Sequence, residues 1–148
     1  MSIPLSERLF FEDVEEGTEL PKLTKTPTPQ QLVKFGCATY DYYELHFDKE
    51  FARASGLPDI IVHGPLKNSF LAQLVTDWIG DAGTLKKLSV QYRGKDMPGS
   101  PVTAGGIVTR KYVEDGENMV ECDLRLDNAD GVTTTPGHAV VALPSRGN

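Results

Sequence analysis

Cysteine is scarce in this chain: there are two in 148 residues, Cys37 and Cys122. So few thiols, so far apart, make neither a metal-ligand spacing nor a disulfide framework, and both are read as buried. Basic residues are the minority sign, 15 Lys and Arg against 21 Asp and Glu, for a net charge of −6. That balance excludes the electrostatic footprint of a nucleic-acid or anionic-membrane binder, so neither partner is expected. An anionic ligand has to be met by a local cluster instead. No charge-free apolar run approaches the roughly 20 residues that cross a bilayer. Met1 to Arg8 contain no apolar run after a basic region, so no signal peptide is read and a cytoplasmic location is expected. No nucleotide-binding glycine loop, metal cluster or repeat is legible, so no cofactor and no metal are expected.

What is present describes one ordinary globular domain over residues 1–148, with 39% hydrophobic and 24% charged residues. That length is enough to bury a core. The most informative stretch is Thr39-Tyr40-Asp41-Tyr42-Tyr43-Glu44-Leu45-His46-Phe47-Asp48, followed by Val62-His63-Gly64-Pro65. Asp41 and His46 lie five positions apart. A regular helix rotates such a pair away from each other, and a strand puts them on opposite faces. They converge only if the backbone between them is irregular, and three tyrosines beside them suit a shaped, partly buried turn. A converging acid and imidazole form a general acid/base site.

The flanking pattern is α+β. Residues 9–20 read as a short strand and an acidic turn, and residues 21–27 as an extended connector or edge strand. Thr28-Pro29-Gln30-Gln31 starts a helix, with Thr28 as cap, Pro29 in the first position and Gln31 completing a capping box. Leu32, Val33 and Phe35 give it an apolar face to about Ala38. Asp48 caps a second short helix that stops at Gly56. Pro65 to about Ile79 is the longest helical pattern, with Leu66, Phe70, Leu71, Leu74, Val75, Trp78 and Ile79 in one apolar stripe. Antiparallel strands follow. Leu88, Val90 and Tyr92 alternate with polar residues, residues 102–113 and 132–143 read as strands, and Val120, Cys122, Leu124 and Leu126 alternate between them. Asp115-Gly116 and Asp130-Gly131 mark the turns. The tail, residues 144–148, reads as loose.

The segment resembles the signature of the MaoC-like, R-specific enoyl-CoA hydratase (hydratase 2) family, roughly S-G-D-x-N-P-[IL]-H-x-D, then F/Y-A, then V-H-G. Asp41, Leu45, His46, Asp48, Phe51-Ala52 and Val62-His63-Gly64 match in order and spacing. Tyr40 stands where the family has Gly, Tyr43 where it has Asn, and Glu44 where it has Pro. The resemblance implies a hot-dog fold, in which a curved antiparallel sheet wraps the central helix at about residues 65–79. It also implies a hydratase or dehydratase acting on an acyl-CoA thioester. A homodimer or a heteromer with a sister hot-dog chain follows as well, with the acyl tunnel near the protomer interface.

Hydration needs a base, an acid and a holder for charge on the thioester oxygen. Asp41 and His46 can share one water, with the division of labour between them open. Gly64 is the best charge-holder: a free N–H at a helix start, backed by the dipole, with no side chain in the way. The matching family glycine serves in that way. Tyr43 and His63 are expected near the substrate, Tyr43 as pocket wall or a hydrogen-bond donor in place of Asn, and His63 where the helix begins. The plainer readings are Asp41 as a turn residue and His46 as a structural histidine. Other readings of the whole chain are a thioesterase, or a non-catalytic subunit that binds acyl groups or supports a catalytic partner. Arg53, Lys86, Lys87, Arg93, Lys95, Arg110 and Lys111 are the cations from which contacts to coenzyme A phosphates would come.

Overall fold

The longest helix, α3 (Gly64–Ile79), carries its apolar residues at three- and four-residue spacing and buries Leu66, Phe70, Leu71, Leu74, Val75 and Ile79. A computed structural model describes residues 8–147, and α3 lies at its centre. The remaining elements are β1 (Leu23–Lys25), α1 (Pro29–Thr39), α2 (Lys49–Ala54), β2 (Thr84–Val90), β3 (Val102–Glu114), β4 (Glu117–Asp127) and β5 (Thr133–Leu143). The strands form one antiparallel sheet in the order β1-β3-β4-β5-β2.

All five strands contact α3. Five strands at about 4.8 Å spacing make a sheet roughly 19 Å across, wider than the 10–12 Å of one helix. They all reach α3 because the sheet curls around it. Register shifts at Leu85/Lys87, Val108/Arg110 and Leu126/Asp127 are where single strands bend. Val120, Cys122, Leu124 and Leu126 point inward from β4, and Ala139, Val141 and Leu143 from β5, so period-two alternation becomes the wall of the core. Asp115 and Gly116 both have positive φ, 51° and 79°, the geometry of a two-residue hairpin turn. No helix of the described residues is long and apolar enough to cross a membrane.

Several expectations are corrected. Residues 9–20 form no strand: Phe11–Asp13 is a 3-10 turn, and the segment meets β3 through one bridge, Glu19 to Ile107, with the Gly17 N–H donating to the Val108 carbonyl beside it. Its phenylalanines pack instead as a lid, Phe10 buried and Phe11 against the core. Val33 and Cys37 are exposed on α1, which buries Leu32 and Gly36, because only one narrow side of this helix meets the core. Of the expected capping box, Thr28 accepts from the Gln31 N–H. β2 begins at Thr84, before the alternation becomes regular, and ends before Tyr92. Trp78 is partly buried, packed against the core's margin. The tail is not loose as far as Arg146. Phe11 N–H donates to the Pro144 carbonyl, Asn118 donates to Ser145, and Arg146 pairs with Asp13. Residues 1–7 and 148 lie outside the described residues, as does most of the stretch read for a signal peptide.

Candidate active site

α1 ends by reversal. Tyr40 takes φ +59°, and the Asp41 N–H reaches back to the Gly36 carbonyl at 3.0 Å. Three residues later a 3-10 turn, Glu44–His46, forms, and Asp48 then caps α2 through the N–H groups of Glu50 and Phe51. This break between two helices is the irregular backbone that an acid and imidazole five residues apart require. It brings Asp41 Oδ2 to 3.9 Å from His46 Nε2. The two face one another without a direct hydrogen bond.

The imidazole is held by a second segment. His46 Nδ1 lies 2.7 Å from the Ile61 carbonyl, and the Ile61 N–H donates to the Leu45 carbonyl at 3.0 Å. A carbonyl only accepts, so Nδ1 carries the proton and a neutral ring presents its lone pair at Nε2, toward Asp41. Residues 61–64 run on into α3. Gly64 is the first residue of that helix, and its N–H has no intrahelical acceptor. His46, Ile61, Val62, Gly64, Lys67 and Tyr92 line a cleft of about 310 Å³, with Arg93, Gly94 and Lys95 completing it. A Cβ on Gly64 would sit 2.9 Å from the ring of the half-exposed Tyr92, so any larger residue there has to displace that ring.

His63 is buried, 1% exposed, and neither ring nitrogen has a hydrogen-bond partner. Its ring stacks on His46 at 3.7 Å between centroids and 21° between planes, and Phe35 covers its flank at 5.1 Å. Burial pushes the His63 pKa below the ordinary value and the neighbouring His46 adds to this, while the Asp41 carboxylate and the Asp41 backbone carbonyl oppose it. Asp41, His46 and His63 bring three possible ligand atoms within 4.8 Å of one another, a grouping that the sequence did not reveal. Imidazole lone pairs lie in the ring plane, and two nearly parallel planes meet far beyond the roughly 2 Å of a metal–nitrogen bond. The arrangement is a stack rather than a shared ligand set.

The tyrosines are placed differently from the expectation of a partly buried turn. Tyr40, Tyr42 and Tyr43 are all exposed and none lines the cleft, because α1 ends at the surface and the reversal carries their side chains outward. Tyr43 lies edge-on to His46, 6.2 Å between centroids, and to Phe51 at 5.9 Å. Of the cations named from the sequence, Arg93 and Lys95 border the cleft. Arg53, Lys86 and Arg110 pair with Glu50, Glu117 and Glu121, and Lys111 reaches the Val14 carbonyl.

The sequence reading missed a buried ion pair. Lys67 Nζ donates to Asp96 at 2.9 Å and to the Gly94 carbonyl at 2.8 Å, and Thr134 donates to the same carboxylate at 2.7 Å. The Asp96 carbonyl in turn accepts from Val62 N–H, so the pair ties the start of α3 to the cleft's far wall. The signal was legible. Lys67 lies three and four residues before Phe70 and Leu71, on the buried stripe, where an unpaired lysine would not be tolerated. Gly36 was missed as well: a Cβ there would stand 2.8 Å from the Asp41 carbonyl oxygen and 3.5 Å from His63 Nε2.

A curled five-stranded antiparallel sheet around one long helix defines a hot-dog protein, here with an acid and an imidazole near the helix's N-terminus. The family model for the MaoC like domain matches residues 12–129, and the chain belongs to that family. The beta subunit of 3-oxo-4,17-pregnadiene-20-carboxyl-CoA hydratase from Mycobacterium tuberculosis is 31% identical over 119 residues, 80% of this chain and 91% of that one. The ChsH1-ChsH2 complex from the same organism superposes with a TM-score of 0.76 at 26% identity, covering 87% of this chain and 98% of that one. The (R)-hydratase from A. caviae involved in PHA biosynthesis does so at 0.79 and 25% identity, covering 90% and 99%.

Proposed function

We propose that this protein adds water across the double bond of a 2-enoyl-CoA thioester, or removes it in the reverse direction, using Asp41, His46 and the Gly64 N–H. The observation that carries this reading is the 3.9 Å approach of Asp41 Oδ2 to His46 Nε2, on a ring that also lines the cleft with Gly64. A water 2.8 Å from each atom would subtend about 88° between them, so one water can donate to both through slightly bent hydrogen bonds. The water oxygen bonds to the β-carbon, its proton passes to the pair, and the π electrons move onto the thioester oxygen. The pair then delivers a proton to the α-carbon. The Gly64 N–H, with the dipole of a 16-residue helix behind it, holds the transient oxyanion. Arg93 and Lys95 at the cleft are the cations available to coenzyme A phosphates.

The test is to incubate the purified protein with enoyl-CoA thioesters of graded size. Loss of the conjugated absorbance is followed, with product masses. Water addition without release of free coenzyme A is expected, and release would instead mark a thioesterase. Asp41→Asn and His46→Ala should each abolish turnover while leaving the fold intact; near-parent turnover in either would sink the pair.

A second reading is a subunit that works with a sister hot-dog chain. It is favoured by the relative being a beta subunit, and by Tyr40, Tyr42, Tyr43, Phe47 and Phe51 lying exposed around the site. Under this reading the isolated chain is inactive and gains activity when mixed with the sister chain. Asp41→Asn in that mixture shows which chain does the chemistry.

A further inference from the structure

His63 is a polar side chain in a place that offers polar groups little: the Asp41 carbonyl lies on its Nε2 side, and no group makes a well-formed hydrogen bond to either nitrogen. It is 1% exposed, both nitrogens lack partners, and it is wedged between Phe35, the Gly36 backbone and the face of His46. Deep burial of an imidazole without a well-formed hydrogen bond carries a cost. Its geometry relative to His46 supplies a reason. The rings overlap at 3.7 Å and 21°, while His46 is fixed in its own plane by the Ile61 carbonyl at 2.7 Å.

We propose that His63 is a positioning residue for His46, a flat neutral aromatic plate that fixes the ring's tilt and stabilises its charged form when it takes a proton. The proposal rests on His46 being the acid/base of the reaction proposed above. An imidazolium over an aromatic face is held by the ring's π electrons, provided the face is itself uncharged. His63 meets that condition. Nothing around it accepts two N–H bonds, and burial and His46 both push its pKa down against the pull of Asp41. The Nε2 edge of His63 lies toward the Asp41 carbonyl, across the space that the missing Gly36 side chain leaves. The charged groups that face the stack are Asp41 from the turn, Lys67 from α3, and Arg93 and Lys95 from the opposite wall of the cleft.

The test compares the parent with His63→Phe, His63→Leu and His63→Gln, each checked for folding by thermal melting. Two readouts are taken: the titration of His46 followed by NMR of its ring, and the kcat and KM of hydration. His63→Phe keeps an aromatic face and should leave the His46 proton affinity within about twofold of the parent. His63→Leu and His63→Gln should lower that affinity by about threefold to tenfold. They should also lower kcat by about tenfold or more, with KM little changed. The proposal is overturned if His46 titrates like the parent in both non-aromatic variants, or if His63→Phe shifts it as far as they do. The NMR titration needs no turnover, so a parent without hydratase activity would sink the functional reading while this result still stands on its own. Should His63→Phe not fold, the parent set against the leucine and glutamine variants decides the matter alone.

Discussion

Tyr40 occupies a backbone position that suits glycine. At φ +59° a Cβ crowds the following carbonyl, which costs about 1–2 kcal/mol, and its exposed ring returns little beyond an edge contact with Tyr42 at 6.4 Å. Tyr40→Gly, the residue of the family signature, should therefore stabilise the protein by about 0.5–1 kcal/mol after glycine's own entropy is counted. That corresponds to a melting temperature higher by about 2–4 °C, read by circular dichroism. A lower melting temperature would mean that the Tyr40 ring makes contacts worth more than its backbone strain. Glu44 departs from the family's Pro without such a cost. It is the first residue of the 3-10 turn, where an N–H is spare in any case. Tyr43 is different again, since its ring leans on both His46 and Phe51, a contact that asparagine would not make.

Among the elements, α3 and the segment 92–96 depend on each other through Lys67 and Asp96. Both charges are buried, and removing one strands the other in a medium that cannot solvate it. Lys67→Met should cost about 3–5 kcal/mol in urea denaturation. Adding Asp96→Asn to it should recover a good part of that loss, because the amide needs no counter-charge. If the double variant is no more stable than Lys67→Met, the lysine acts by packing and not by pairing. The same tie sets where Gly64 begins α3, so an electrostatic contact in the core holds the cleft's shape. Cys122, on the inner face of β4, is a contrast: burial pushes its thiol up to about 12, and it stays protonated and inert while Cys37 is open to reagents.

For the molecule as a whole, stability should fall as the solution is acidified through neutral pH. His63 has a folded pKa below its ordinary 6.5, so below about that pH the unfolded chain binds a proton that the folded chain refuses. Stability is full above 6.5 and declines as the pH drops from there toward the lower folded value. Melts of the parent at pH 7.5 and 5.5 should differ, and the gap should shrink in His63→Leu, which has nothing to protonate at that position. An unchanged gap would place the acid sensitivity elsewhere.

The amino-acid sequence by itself determined the strongly periodic elements and the spacing of Asp41 and His46, though not the segment 9–20, which it read as a strand. Amphipathic spacing identified α3, alternation identified β4, Asp115-Gly116 identified the hairpin, and the Asp41, His46 and Gly64 pattern identified the family. These signals are local, since each rests on the period of one segment or the backbone preference of one residue. The stack of His63 on His46, the pairing of Lys67 with Asp96, the outward turn of the three tyrosines and the docking of the tail on residues 10–13 could not be read that way. The stack, the ion pair and the docked tail each depend on which segments the curled sheet brings side by side, through contacts that span 17 to 133 residues of chain. Only the tertiary structure decided them, because burial and charge pairing belong to the assembled neighbourhood and not to any stretch of sequence.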